Sequence, residues 1–210
     1  MDINYEILYT FIIASTALAI SPGPDNIYVL TQSIVNGKKY GLATVAGLMT
    51  GCFVHTTLVA FGVSAIIKQS DTLFFIIKLF GALYLIFLAY KVFRSDGALQ
   101  LESRTIEKKS LGQLFRQGFI MNVLNPKVSI FFLAFFPGFL FSKTLSNILQ
   151  FYALGVLFVI TGVVVFGSIA ILAGTISSYL KKNSKAGIFL KWLQIIVFIG
   201  IAIFILFSEK

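Results

Sequence analysis

The stretch Ser21-Pro22-Gly23-Pro24-Asp25-Asn26 sets an acid and two prolines inside an apolar run, Ile7 to about Thr31, that is long enough to cross a bilayer. Proline removes a backbone donor, and neither Pro nor Gly favours a helix interior, so the run cannot be one plain helical anchor. A carboxylate at membrane depth costs at least a few kcal/mol on insertion scales. A chain that keeps one there needs either a partner or a use for it.

The rest of the sequence places that break in a membrane protein. Hydrophobic residues make up 58% of the 210 and charged residues only 12%, about half the charged share of a water-soluble domain. The formal charge of +9 lies in short clusters between apolar runs, as in cytoplasmic loops facing anionic lipid, so nucleic acid is excluded as a partner and the lipid bilayer is the expected one. Cys52 is the single cysteine, which rules out an intramolecular disulfide and a thiolate metal cluster; no metal and no cofactor is expected. Asp2 and Glu6 stand where a signal peptide needs bases, so the first apolar run is read as a retained span.

Six spans can be drawn: about Ile7 to Thr31, Gly41 to Ile67, Leu73 to Phe93, Leu114 to Phe141, Ile148 to Tyr179 and Ile188 to Phe207. The fifth exceeds what a bilayer needs and is expected to tilt or to extend past the lipid. A five-span arrangement with a re-entrant segment ranks second. Lys38 and Lys39, the group from Lys91 to Arg116, and Lys181 to Lys191 flank alternate ends of the spans, so the positive-inside rule puts both termini outside, in the inner (plasma) membrane. The fold class is therefore all-α integral membrane, one membrane domain over residues 1–210. A polar cytoplasmic segment at 94–113, with Glu102, Arg104, Glu107 and Lys108, divides it into three-span halves at 1–93 and 114–210. Three spans per half require the halves, if homologous, to be inverted repeats, and each carries one broken helix: span 1 at Pro22 to Pro24, span 4 at Asn125-Pro126-Lys127. Lys78 and Lys191 fall early in the third and sixth spans.

At the second break Asn125 is a good N-cap and Pro126 suits the first helical position, so a helix restarts with free N–H groups and a positive dipole end. Lys127 then sits at the unfavourable end of that dipole, which makes sense beside an anion. Asp25 has the matching position and charge, and the two are expected to approach each other. A zwitterion suits such a pair, its carboxylate on Lys127 and the N–H groups, its ammonium on Asp25. The competing structural reading has Asp25 capping the half-helix and Lys127 neutralising it. Asp25 and His55 are the candidate proton relay. A neutral His55 bonded to the Thr56 or Thr57 hydroxyl is the stronger expectation, because span 2 offers no second acid. Gly47 and Gly51, with Gly41 and Gly62 beside them, mark a close helix-packing face within the bundle or between protomers of a homo-oligomer, and Gly155, Gly162 and Gly167 repeat the theme. Lys78 is expected at the outer headgroups and Tyr84 in packing. There is no phosphate loop, nucleophile elbow or His-Glu-x-x-His, so no catalytic residue is assigned and the chain is not expected to be an enzyme.

These residues resemble the lysine-exporter (LysE/RhtB-type) amino-acid efflux family. The likeness rests on Ser21 to Asn26, Gly47-x-x-x-Gly51, Gly81-Ala82-Leu83-Tyr84-Leu85, and Gly118-Phe119-x-x-Asn122-x-x-Asn125-Pro126-Lys127 running into Phe131 to Pro137. The resemblance implies a small exporter of amino acids or close derivatives driven by an ion gradient, protons being the expected ion. It also implies that Ser21, Pro22, Gly23, Pro24, Asp25, Asn26, Asn125, Pro126 and Lys127 line the pathway. A passive small-solute channel and a non-transporting membrane scaffold are the alternatives.

Overall fold

The computed structural model describes residues 3–95 and 109–207, and among these all regular structure is helical. The first helix, α1 (Tyr5–Ile20), opens on Asn4, whose side chain accepts from the Glu6 and Ile7 N–H groups. It stops at Ser21, and α2 (Pro24–Asn36) leaves at 62° to it. Gly37, at φ 99°, makes the reversal into α3 (Lys38–Leu58), a conformation only glycine adopts without strain. A π-turn at Val59–Val63 carries α3 into α4 (Ser64–Gln69), and the Ser70 hydroxyl caps α5 (Asp71–Arg94). A Ser110–Gln113 capping box starts α6 (Leu111–Val123). Then α7 (Pro126–Phe135), at 52° to α6, runs into a 3-10 turn at Phe136–Phe139. The chain ends in α8 (Asn147–Ile171), α9 (Ala173–Lys182) and α10 (Ser184–Phe207).

Four segments are long and apolar enough to cross a membrane: Lys38–Ile66, Asp71–Arg94, Asn147–Ile171 and Ala186–Phe207. The bent pairs α1–α2 and α6–α7 qualify as two more if each counts as one span. The expected fifth span is shorter than drawn. Its helix ends at Ile171, and Leu172, at ψ 12°, turns the chain into a separate short helix, so the drawn run is interrupted near its end. The middle of the expected polar connector, with Glu102, Arg104, Glu107 and Lys108, lies outside the described residues.

Packing follows a reciprocal pattern. The middle helix of the first half, α3, lies chiefly on α6, and α8 of the second half lies on α1 and α2; α5 pairs with α10. Small residues permit the first contact. A Cβ at Gly47 would strike the Phe115 carbonyl, one at Gly118 the Thr44 carbonyl, and one at Gly51 the Asn122 side chain. Gly155 and Gly162 on α8 likewise face Thr56 and Met49, whereas Gly62 and Gly167, marked as packing positions from sequence, meet nothing within 4 Å.

Phenylalanines dominate the core. Phe131, Phe132, Phe135, Phe136 and Phe139 are fully buried along α7 and its 3-10 turn, packed against Phe11 of α1, Phe158 of α8 and Phe204 of α10. Lys78 is a correction: it is buried, only 7% exposed, with its amine near the Phe74 ring, and does not reach out to headgroups. Lys191 donates to the Ser95 carbonyl at the end of α5.

Candidate binding site at the paired helix breaks

The two prolines of the first break act through the carbonyls they leave behind. The last regular bond of α1 runs from the Ser21 N–H to the Ala17 carbonyl, 3.0 Å. The carbonyls of Leu18 and Ile20 would next receive the N–H of residues 22 and 24, and both are proline, so these acceptors have no helical donor. Ala19 is served instead by the Asn26 side chain, whose Nδ2 donates to its carbonyl at 2.8 Å and so pins α2 to the end of α1. Ser21 is fully buried and its hydroxyl has no hydrogen-bond partner among the described residues. Gly23 provides no side-chain cap, so the N–H groups of Asp25 and Asn26 begin α2 without acceptors among the described residues.

The second break is built differently. Asn125 caps α7 as expected, its Oδ1 accepting from the Lys127 N–H at 3.0 Å. The next two N–H groups, of Val128 and Ser129, both bond to the Asn125 carbonyl. The free donors expected at this terminus are therefore already used; the unused ones belong to α2.

Asp25 and Lys127 occupy equivalent places, the second residue of a restarted helix directly after a proline. Asp25 is buried, 8% exposed, and its Oδ2 accepts from Asn125 Nδ2 at 2.9 Å across 100 residues of sequence. Lys127 is partly buried. Its amine stands 3.6 Å from the place a Cβ would take on Gly23, and 5.1 Å from the Phe198 ring. The two charges make no direct ion pair; Asn125 holds the acid and both groups border one cavity.

That cavity measures about 40 Å³, room for about three waters. The end of α1, residues 23–26, Asn122, Asn125 and Lys127 supply its polar rim; Leu48, Met49, Phe158, Gly162 and Phe166 supply an apolar wall, with Cys52 between them. Among the described residues, Asp25 and Lys127 are its only charged members. Ser21, Pro22, Pro126 and His55 of the expected set do not line it. The prolines act by setting the breaks, and His55 bonds to the Asn122 carbonyl at 3.1 Å instead of to a threonine hydroxyl. Thr56 and Thr57 bond back to their own helix, to the Cys52 and Phe53 carbonyls.

Sequence reasoning passed over Asn122 as a site residue. It is 3% exposed and reaches Cys52 Sγ with its Nδ2 at 3.5 Å. Its position four residues before Pro126 was the available signal, since that spacing marks an orphaned carbonyl. The apolar wall carried no signal at all, because nothing in a span distinguishes Met49 or Phe158 from ordinary packing.

Comparison with known proteins identifies the family. Residues 16–209 match the family model described as LysE type translocator. A homoserine/homoserine lactone efflux protein of Salmonella typhimurium is 34% identical over 185 residues, 87% of this chain and 89% of that protein. A Salmonella typhi protein of the same name gives the same figures. A Vibrio cholerae membrane protein is 31% identical over 183 residues, covering 87% of each chain. No solved structure matches.

Proposed function

The chain belongs to the LysE type translocator family, and we propose that it is a secondary active exporter of a small amino acid or close derivative, of the homoserine kind, across the bacterial inner membrane in exchange for protons. The observation that carries this reading is the cavity itself, which holds one acid and one base that are not spent on each other. A zwitterion satisfies both. Its carboxylate goes to Lys127 and the open Asp25 and Asn26 N–H groups, its ammonium to the Asp25 carboxylate and the Leu18 carbonyl. No further charge among the described residues borders the space, which favours an uncharged side chain lying on the Met49–Phe158 wall. The names of the Salmonella relatives point to the same class.

Room for about three waters is less than an amino acid needs, so substrate entry requires the walls to part. The walls are the two bent pairs, and their movement against each other is the expected alternating access. Two features support the six-span reading with inverted repeats at 1–93 and 114–210. Each half runs bent pair, middle helix, last helix, and each middle helix packs on the other half's bent pair. Asp25 is the one cavity carboxylate among the described residues, so proton and ammonium compete for it, and exchange needs no second acid. The termini lie outside on this reading.

The test is homoserine counterflow in proteoliposomes. The parent should exchange external label for internal substrate, and D25N should lose that exchange while inserting normally. Collapse of an imposed pH gradient should slow net export. Parental exchange by both D25N and K127A would overturn the site, and saturation-free flux without counterflow would make the protein a channel.

A further inference from the structure

Pro126 has no N–H, so the Asn122 carbonyl four residues before it loses its helical donor at the bend. Two donors replace the missing one. The Asn125 N–H turns back to it at 3.0 Å, and His55 Nε2 reaches it from α3 at 3.1 Å. A carbonyl oxygen only accepts, so Nε2 carries the hydrogen and the tautomer is fixed by this contact. On the far side of the bend the imidazole lies against Phe132 of α7, ring centroids 5.4 Å apart and tilted by 39°. The ring is 3% exposed and does not line the cavity. His55 thus touches both arms of the bent pair, the last turn of α6 and the body of α7. Three residues beyond the carbonyl it holds, Asn125 donates to Asp25, and Lys127 follows.

We infer that His55 is a positioning residue: it braces the α6–α7 bend that aims Asn125 and Lys127 at Asp25, and it does not carry protons through the transport cycle. The charged groups bordering the cavity next to it are Asp25 and Lys127, and it bonds to neither. A relay needs two proton partners in line, whereas the hydrogen bond this ring makes among the described residues ends on a backbone oxygen. For its transport readout the inference rests on the export reading above; a second readout is independent of it.

The experiment compares His55→Gln, which keeps an N–H at similar reach, with His55→Leu, which keeps bulk and loses the donor. Homoserine export is measured against pH in proteoliposomes, and alkylation of Cys52 is followed without substrate. Asn122 Nδ2 donates to that thiol, so a slackened bend frees it. H55Q should export within about twofold of the parent with an unchanged pH profile, while H55L should fall about two- to tenfold, the scale of one lost hydrogen bond, and alkylate faster. Should H55L fail to accumulate, His55→Asn, whose amide is too short to reach, takes its place with the same expectations. Two results overturn the inference: an H55Q profile shifted in pH, which marks a proton carrier, or an H55L indistinguishable from the parent in both measurements. If the parent itself exports nothing the export reading fails, yet the Cys52 rates still decide whether His55 braces the bend.

Discussion

Asp25 and Lys127 hold the same helical position with opposite electrostatic consequences. The second residue of a helix sits at the positive end of its dipole, which favours the Asp25 carboxylate and disfavours the Lys127 ammonium. Asn125 adds a hydrogen bond to the acid, and its own Oδ1 is used on the Lys127 N–H, so one side chain couples the two breaks. Asn125→Ala removes both contacts and leaves a buried carboxylate short of a donor. A hydrogen bond to a charged group contributes about 1.5–3 kcal/mol, so the homoserine concentration giving half-maximal counterflow should rise about tenfold or more. An unchanged half-saturation would show that Asn125 does not hold the acid for substrate. The two charges and both prolines were legible in the sequence because each breaks a rule that apolar helices obey. The amide standing between the charges was not, since spacing says that two breaks correspond and nothing about which atom fills the gap. Lys78 misled for a related reason: an isolated lysine in a span carries no mark of whether its amine turns inward or reaches the interface.

Among the helices, the α3–α6 contact brings backbone against backbone, and its glycines permit the approach. Gly47→Leu would drive a side chain into the backbone of α6 at Phe115, which has no room to yield. Overpacking of this kind costs about 1–3 kcal/mol, so the variant should show lower membrane abundance and a lower melting temperature in detergent. Gly167→Ala, whose added Cβ meets nothing within 4 Å, should leave both near parental values. Equal behaviour of the two variants would mean that α3 and α6 do not pack as described. The Gly-x-x-x-Gly pattern was readable as a packing face, but Gly167 looked equally good in sequence, and only the path of the neighbouring helix separates them. The end of α8 at Ile171 was hidden in the same way. Its apolar run continues through Leu172 and Ala173, and the excess length was the single hint of a break.

At the scale of the whole molecule a stack of aromatic rings lies between the cavity and the N-terminal end of α1. The N-terminal end of α1 meets the segment after the 3-10 turn through the Asn4 N–H and the Phe141 carbonyl, 2.8 Å apart. Between that end and the cavity lies Phe11, with ring centroids 5.2 Å from Phe136 and 5.3 Å from Phe139. Below it Phe158, which lines the cavity, stands 5.0 Å from Phe132. Leu18 of the cavity rim and Phe11 are seven residues apart on one helix, so the plug is about 10 Å deep. A plug built mainly of rings, with the buried Ser15 hydroxyl as the polar group on α1 between Phe11 and Leu18, resists a zwitterion, which is what a carrier needs of a closed gate and a channel does not. On the proposed orientation, with the termini outside, this gate would be the outer one. Phe11→Ala should then speed alkylation of Cys52 by a membrane-impermeant thiol reagent added outside, and let homoserine leak down its gradient, while reagent added from the cytoplasmic side reacts at the parental rate. Acceleration from the cytoplasmic side instead would reverse the orientation and keep the gate. No change from either side would mean that the aromatic cluster is packing alone, and that the path out of the cavity runs elsewhere.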